Sequence, residues 1–179
     1  MMNTVKILKT SISETSVEEV STILNNENSL KVAICNTNTV VRSHQDELLC
    51  EVINSFDIKA PDGFPIAKSS SFFLGSNQQR VDGFNVFLST IREGISKNTS
   101  HYFYGSEEPV LQKLIEKLMQ EYPEINIAGS FSPPIENYEE LAKEQYIKDL
   151  QECNPDIVWV SLGFPKQELF IELLQKQYS

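Results

Sequence analysis

The sequence predicts an α/β fold in which a mostly parallel sheet is flanked by helices, with residues 1–179 forming a single domain. Three observations predict it. Short apolar runs rich in β-branched residues recur, each run ends in a turn, and each turn leads into a segment with helical apolar spacing. Such alternation is typical of βαβ units, whose right-handed crossovers place all the turns at one edge of the sheet.

Composition and charge exclude several classes of protein. The net charge of −10, from 25 acidic and 15 basic residues without a dense basic cluster, disfavours nucleic-acid binding. The three cysteines, Cys35, Cys50 and Cys153, are odd in number and lack CxxC spacing, which favours reduced thiols in a cytoplasmic protein. No apolar run approaches the roughly 18 residues of a membrane span, so we expect any membrane contact to be peripheral.

The first half begins with a short strand predicted over Val5–Leu8 and a helix that opens with the capping box Ser16–Glu19. Next comes the compact apolar run Val32–Cys35, which predicts a strand. The polar run Asn36–Thr39 follows and is suited to capping a helix, which we expect to reach Phe56.

Pro61-Asp62-Gly63 ends the next predicted strand. This triplet is a turn signal, because proline fixes φ, aspartate bonds its own backbone and glycine accepts a positive φ. The functional interpretation is that Asp62 is a carboxylate held rigidly at a strand end, where it acts as a general base. Residues 69–75 have a pattern that is either irregular or marginally helical. Arg80, which follows them, is either an anion contact or a surface charge.

The second half repeats the alternation more clearly. Tyr102–Tyr104 predicts a strand that ends at Gly105, and Ile125–Ala128 predicts another that ends at Gly129. Residues 155–174 predict a buried strand, a tight turn and a helix. Lys166, Gln167 and Glu168 are therefore expected at the sheet edge where ligands gather in open α/β folds.

A plainer interpretation of residues 155–174 is a surface turn and a helix start. On that interpretation Glu168 serves only as a negative charge at the positive end of the helix dipole.

Motif searches exclude other chemistries. The chain contains no GxGxxG, GxxxxGK[ST] or GxSxG pattern and no cluster with metal-ligand spacing, so no metal or cofactor is expected. What remains is one predicted rim suited to a sugar nucleotide, formed by Asn38, Asp62, Arg80, Gly105, Gly129 and Gln167.

These motifs also resemble a known family. The set is Pro61-Asp62-Gly63, then Gln79-Arg80-Val81-Asp82-Gly83-Phe84, Tyr104-Gly105, Tyr122-Pro123-Glu124 with Ile127-Ala128-Gly129, and Gly163-Phe164-Pro165-Lys166-Gln167-Glu168. In this order and approximate spacing it resembles the WecG/TagA/CpsF glycosyltransferases, from about Val32 to the end of the chain.

The resemblance implies a Rossmann-like inverting enzyme that needs no metal. It implies transfer of a hexosyl or N-acetylhexosaminyl unit, such as N-acetylmannosamine, from a UDP-sugar donor to a polyprenyl-diphosphate-linked saccharide in bacterial cell-surface polysaccharide synthesis. By resemblance, Asp62 is the general base and Gln167 holds the donor or positions the reacting groups. Asn38 lies near the donor, while Arg80 contacts phosphate or braces the pocket.

Two departures from the family pattern bear on these expectations. Where many relatives carry a threonine, this chain has Asn36-Thr37-Asn38, so either Asn36 replaces that threonine or Thr37 acts from a shifted position. The sequence also lacks the family's C-terminal strand and basic tail, which indicates an engineered truncation, a short homologue that borrows the missing parts, or a non-catalytic nucleotide-sugar-binding scaffold. We therefore expect weak or absent activity for this chain alone, and homo-oligomerisation through the uncovered apolar face.

Overall fold

The computed structural model describes residues 2–178 and confirms the predicted mixed α/β class, with parallel strands and intervening helices. The chain divides into two compact units, Met1–Thr90 and Ile91–Ser179. The single domain proposed from the sequence stays a prediction.

The first unit contains two pairs of strands. An N-terminal hairpin pairs β1 (Thr4–Ile7) antiparallel with β2 (Thr10–Ser13). The sequence predicted a first strand here, over Val5–Leu8, but not its antiparallel partner. The other pair is parallel and joins β3 (Val32–Cys35) to β4 (Ile58–Pro61), with Cys35 opposite Pro61. Its core packs around Val20, Ile58, Ala60, Val81 and Val86.

Helices follow or separate these strands: α1 (Val17–Leu24), α2 (Thr37–Gln45), α3 (Glu47–Ser55), α4 (Phe64–Leu74) and α5 (Gly83–Gly94), which begins in this unit. The expectation of one helix reaching Phe56 is wrong, because the helix breaks at Asp46. Asp46 has extended backbone angles, φ −124° and ψ 115°, and its Oδ1 accepts the backbone N–H of Leu49 at 3.1 Å. Its side chain therefore starts α3 as a new helix instead of continuing α2.

Of the two alternatives for residues 69–75, irregular or marginally helical, the structure supports the helical one, because α4 extends to Leu74. Pro65 suits its first turn, and the helix buries Ile66, Ala67 and Ser70 on one face. Tertiary packing of that face overrides the weak local preference of the serine-rich stretch.

The second unit is built on a three-stranded parallel sheet. Its central strand β5 (Ser100–Gly105) lies between β6 (Asn126–Phe131) and β7 (Ile157–Ser161). After the short 3-10 turn Ile95–Lys97, its helices are α6 (Glu108–Glu121), α7 (Tyr138–Leu141), α8 (Glu144–Cys153) and α9 (Lys166–Tyr178). The predicted end of the second strand at Gly129 is wrong by two residues, since β6 continues to Phe131.

Aromatic side chains on the central strand organise the core of this unit. Tyr104 stacks on Phe170 of α9 with ring centroids 4.7 Å apart, and its hydroxyl donates to the carbonyl of Leu141 at 3.3 Å. The hydroxyl of Tyr102 donates to Asp149 Oδ2 at 2.7 Å. These contacts hold α7, α8 and α9 against the sheet.

His101 is a buried histidine on β5, with 1 % of its surface exposed. The indole N–H of Trp159 donates to His101 Nδ1 at 3.3 Å, so the unprotonated nitrogen already has a partner. Burial lowers the pKa of His101 from 6.5 to about 4, against the opposing charge of Asp156.

We predict that acidification destabilises the protein through His101. The unfolded chain takes up a proton near pH 6.5 and the folded chain only near pH 4, so the free energy of unfolding falls between those values as the pH is lowered. The expected loss is about 3 kcal/mol. Denaturant unfolding of wild type and His101→Asn across this range measures it.

The matched control is His44→Asn, which changes an exposed histidine and should leave the wild-type pH profile intact. A His101→Asn protein that loses stability on acidification as steeply as wild type would contradict the assignment.

Candidate functional site

The first cluster of predicted site residues forms where β3 and β4 end together. The backbone N–H of Asp62 donates to the carbonyl of Cys35 at 2.9 Å, which continues the β3–β4 pairing by one residue. On the other side, the N–H of Val81 donates to the carbonyl of Pro61 at 2.9 Å. Asp62 is therefore fixed at the carboxyl edge of this strand pair, where the sequence predicted it.

Gly63 turns the chain immediately after Asp62. Its φ of +81° lies in the region that residues with side chains rarely adopt, and α4 begins one residue later. The turn and general-base interpretations of this triplet are therefore compatible, because the turn is what holds Asp62 at the strand end.

Arg80 contacts the Asp62 carboxylate directly. Its Nε lies 2.8 Å from Asp62 Oδ1, with the Asp62 side chain 20 % exposed and that of Arg80 59 % exposed. The hydrogen bond and charge of Asp62 raise the pKa of the guanidinium, and Asp82 adds to this. Among residues 2–178, Asp62 Oδ2 has no hydrogen-bond partner, so one carboxylate oxygen is held and the other is available.

Asn36, Thr37 and Asn38 lie at the start of α2, directly after β3, and all three are exposed. Asn36 caps the helix, because its Oδ1 accepts the backbone N–H of Thr39 at 3.1 Å. Asn36 thus has a structural role whether or not it also meets a ligand. Thr37 and Asn38 follow in the first helical turn.

The second cluster lies at the carboxyl ends of the three-stranded sheet. Gly105 has a φ of +115°, and a side chain there would collide with the backbone carbonyl of Ser161. At Gly129 a Cβ would come within 2.7 Å of the Tyr102 ring. Close packing between neighbouring strands therefore requires both glycines.

Hydrogen bonds tie together the loops that follow these strands. The N–H of Ser106 donates to the carbonyl of Ser161 at 2.9 Å, and the hydroxyl of Ser132 donates to the carbonyl of Ser106 at 2.8 Å. Lys166 Nζ, at the start of α9, donates to the carbonyl of Glu136 at 3.0 Å. The turns after β5 and β6 and the first turn of α9 are thereby held in fixed positions.

Gln167 lies in the first turn of α9, half-buried. Its backbone N–H donates to the carbonyl of Gly163 at 3.0 Å, and its side-chain Nε2 donates to Glu168 Oε1 at 2.9 Å. Glu168 is only 3 % exposed. Burial raises the pKa of its carboxyl, and the hydrogen bond from Gln167 opposes that rise.

The sequence placed Glu168 either at the ligand-binding edge of the sheet or at the positive end of the helix dipole, but it did not predict that Glu168 is buried. No sequence signal marks it as buried, because a first-turn glutamate is ordinarily solvated.

The predicted residues therefore fall into two groups. Asn36–Asn38, Asp62 and Arg80 come together in the first unit, while Gly105, Gly129 and Gln167 lie at strand ends and the start of α9 in the second. Their arrangement on one shared rim stays a prediction. Within the described residues, no three His, Cys, Asp or Glu side chains form a group that could hold a metal ion. No helix in residues 2–178 is long and apolar enough to cross a membrane.

Comparison with known proteins agrees with the motif order. Over 121 residues the chain is 31 % identical to an N-acetylglucosaminyldiphosphoundecaprenol N-acetyl-beta-D-mannosaminyltransferase of Bacillus subtilis (strain 168), covering 68 % of this chain and 45 % of that protein. A protein of the same name from Staphylococcus aureus (strain NCTC 8325) is 24 % identical over 164 residues, covering 90 % of this chain and 63 % of the relative. The chain thus spans about half to two thirds of the length of these relatives. Residues 4–179 match the family profile, and the chain belongs to the glycosyl transferase WecG/TagA/CpsF family.

Proposed function

We propose that this chain carries the catalytic base of an inverting glycosyltransferase. The reaction moves an N-acetylhexosaminyl unit from a UDP-sugar to a polyprenyl-diphosphate-linked saccharide in cell-surface polysaccharide synthesis. The proposal rests on the position of Asp62, which is fixed at a strand edge. Its Oδ1 accepts a hydrogen bond from Arg80, and its Oδ2 is available to a substrate. The relatives' names, which specify N-acetylmannosaminyl transfer, support N-acetylmannosamine as the sugar.

The chemistry is a single displacement at the anomeric carbon. Asp62 Oδ2 accepts the proton of the acceptor hydroxyl as its oxygen forms the new bond to that carbon. The bond from the anomeric carbon to the diphosphate oxygen breaks, and UDP leaves with the electron pair from the opposite face. Configuration inverts because one displacement occurs, and the proton remains on Asp62 until solvent removes it.

Arg80 has a defined part in this step. Its hydrogen bond to Oδ1 restrains the carboxylate and leaves Oδ2 for the acceptor hydroxyl. We therefore propose bracing of the base as the main role of Arg80.

We predict that Asp62→Asn lowers the transfer rate by about 10²- to 10⁴-fold, the usual contribution of a general base. Asparagine keeps an oxygen for Arg80, so binding of UDP-N-acetylmannosamine should persist. The measurement is acceptor-dependent UDP release with a soluble polyprenyl-diphosphate-linked N-acetylglucosamine analogue, alongside calorimetric titration of the donor.

Asp82→Asn is the control, because it removes a neighbouring charge while leaving an oxygen to cap α5 through Asn85. Equal rates for wild type and Asp62→Asn would refute the base assignment. Donor binding without UDP release from either protein would favour the non-catalytic nucleotide-sugar-binding function.

A second prediction separates the neighbouring asparagines. Asn36→Ala removes the α2 cap and should lower the free energy of unfolding by about 1 kcal/mol. Asn38→Ala, at an exposed position, should leave stability unchanged and weaken donor binding. Denaturant unfolding and donor titration of both variants measure this, and Asn36→Asp, which preserves the cap, is the control. Wild-type donor affinity in Asn38→Ala would remove Asn38 from the site.

We also propose that α4 contacts the membrane surface from which a lipid-linked acceptor arrives. Phe64, Phe72 and Phe73 are 72 %, 81 % and 63 % exposed on a helix whose other face is buried. Lys68 Nζ lies 5.7 Å from the Phe64 ring centroid, so a cation lies among the aromatics. Exposed aromatic side chains with an interspersed lysine are typical of helices that lie in a bilayer interface. This helix begins two residues after Asp62.

The prediction for α4 is that Phe72→Ser with Phe73→Ser weakens association with phosphatidylcholine vesicles by at least about tenfold, since each ring contributes apolar area. Uncharged vesicles avoid repulsion of a protein with net charge −10. Vesicle co-sedimentation measures the effect.

The control for α4 is Val110→Ser with Met119→Ser, which alters exposed apolar side chains on α6. Equal vesicle binding by wild type and the α4 variant would contradict the proposal. A change from dimer to monomer in sedimentation equilibrium would instead assign this face to the predicted homo-oligomer.

A further inference from the structure

Glu168 is a buried glutamate, and buried glutamates are ordinarily paired with a cation. It is 3 % exposed, and its Oε2 has no hydrogen-bond partner within the described residues. Its only side-chain partner there is the neutral amide of Gln167, 2.9 Å from Oε1. A buried carboxylate with an unsatisfied oxygen destabilises a fold compared with an apolar side chain of similar size. Stability alone therefore does not account for glutamate at this position.

The contact determines which end of the Gln167 amide is free. A carboxylate only accepts hydrogen bonds, so it must face the amide NH₂ and not the amide oxygen. The Gln167 oxygen Oε1 then points away from Glu168. It has no protein partner among residues 2–178 and is absent from the buried unsatisfied atoms, so it reaches solvent.

We propose that Glu168 is a positioning residue that orients Gln167 so that its amide oxygen accepts a hydrogen bond from the donor sugar. The inference rests on the proposed function and specifies it further. Gln167 recognises a group that donates a hydrogen bond, namely a sugar hydroxyl or the N–H of an N-acetyl group. Without Glu168 the amide would rotate and present either end, which would weaken that selectivity.

The test begins in the absence of ligand. In ¹⁵N-labelled protein, the NMR signal of the Gln167 side-chain amide is assigned by its disappearance in Gln167→Leu. One of the two amide protons should be shifted downfield by its hydrogen bond to the carboxylate. Glu168→Met should abolish this shift, and the control Glu172→Gln should retain it. Glu172 is buried one turn later on α9 and pairs with Lys176 at 2.9 Å.

The second arm measures ligand affinity by calorimetry. Glu168→Met should weaken UDP-N-acetylmannosamine binding about tenfold, the effect of one lost hydrogen bond, and Glu168→Gln, which keeps an acceptor oxygen, should be intermediate. Affinity for UDP alone should not change, because the contact is to the sugar and not to the uracil N–H. The melting temperature of Glu168→Met should be unchanged or higher, which a purely structural role would not produce.

A double-mutant cycle then decides whether Glu168 acts through Gln167. In a Gln167→Leu background, Glu168→Met should change donor affinity by less than about twofold. Two results would overturn the proposal while leaving the proposed function intact. One is that Glu168→Met weakens donor binding as much in the Gln167→Leu background as in wild type. The other is that Glu168→Met leaves the Gln167 amide signal unchanged. If wild-type protein shows the expected amide signal but does not bind UDP-N-acetylmannosamine, both the proposed function and the sugar contact would be overturned.

Discussion

The register of β4 against β3 is the constraint on which the first cluster depends. Because Cys35 lies opposite Pro61, the N–H of Asp62 meets the carbonyl of Cys35, and the pairing continues one residue past both strands. A slip of one residue would turn each side chain of β4 to the opposite face and move the carboxylate away from Arg80. The Asn36 cap and the Gly63 turn then start α2 and α4 from the same edge.

The second unit shows the same dependence on close approach between parallel strands. The ends of β5 and β7 are so near each other that Gly105 has no room for a Cβ. Gly129 of β6 likewise has no room for a Cβ, because the Tyr102 ring packs against it. The sequence marked both glycines as ligand contacts, but their packing explains them without a ligand. The short strand separation fixes the turns after these strands and the start of α9, which carries Gln167.

The features that the sequence predicted correctly are those that local sequence signals determine. The parallel strands and the position of Asp62 were predictable, because apolar runs and a Pro-Asp-Gly turn are local signals. The break at Asp46 was not, since capping a new helix and continuing the old one compete closely there. The Arg80–Asp62 bond joins residues 18 positions apart. It depends on the path of α4 and of the irregular residues after it, which periodicity does not describe. The burial of Glu168 depends on how α9 packs against α7 and β7, which is not a local signal.

The two carboxylates of interest differ in environment, and that difference separates their roles. Asp62 is partly exposed, held by a guanidinium and left with an available oxygen, which are the conditions for exchanging a proton with a substrate. Glu168 is buried beside an amide that gives it neither a counter-charge nor a path to solvent, so it is poorly placed to exchange protons during turnover. What it can do from there is fix the orientation of its neighbour. Because a carboxylate only accepts hydrogen bonds, it permits one orientation of the Gln167 amide, whereas a glutamine at position 168 would permit two.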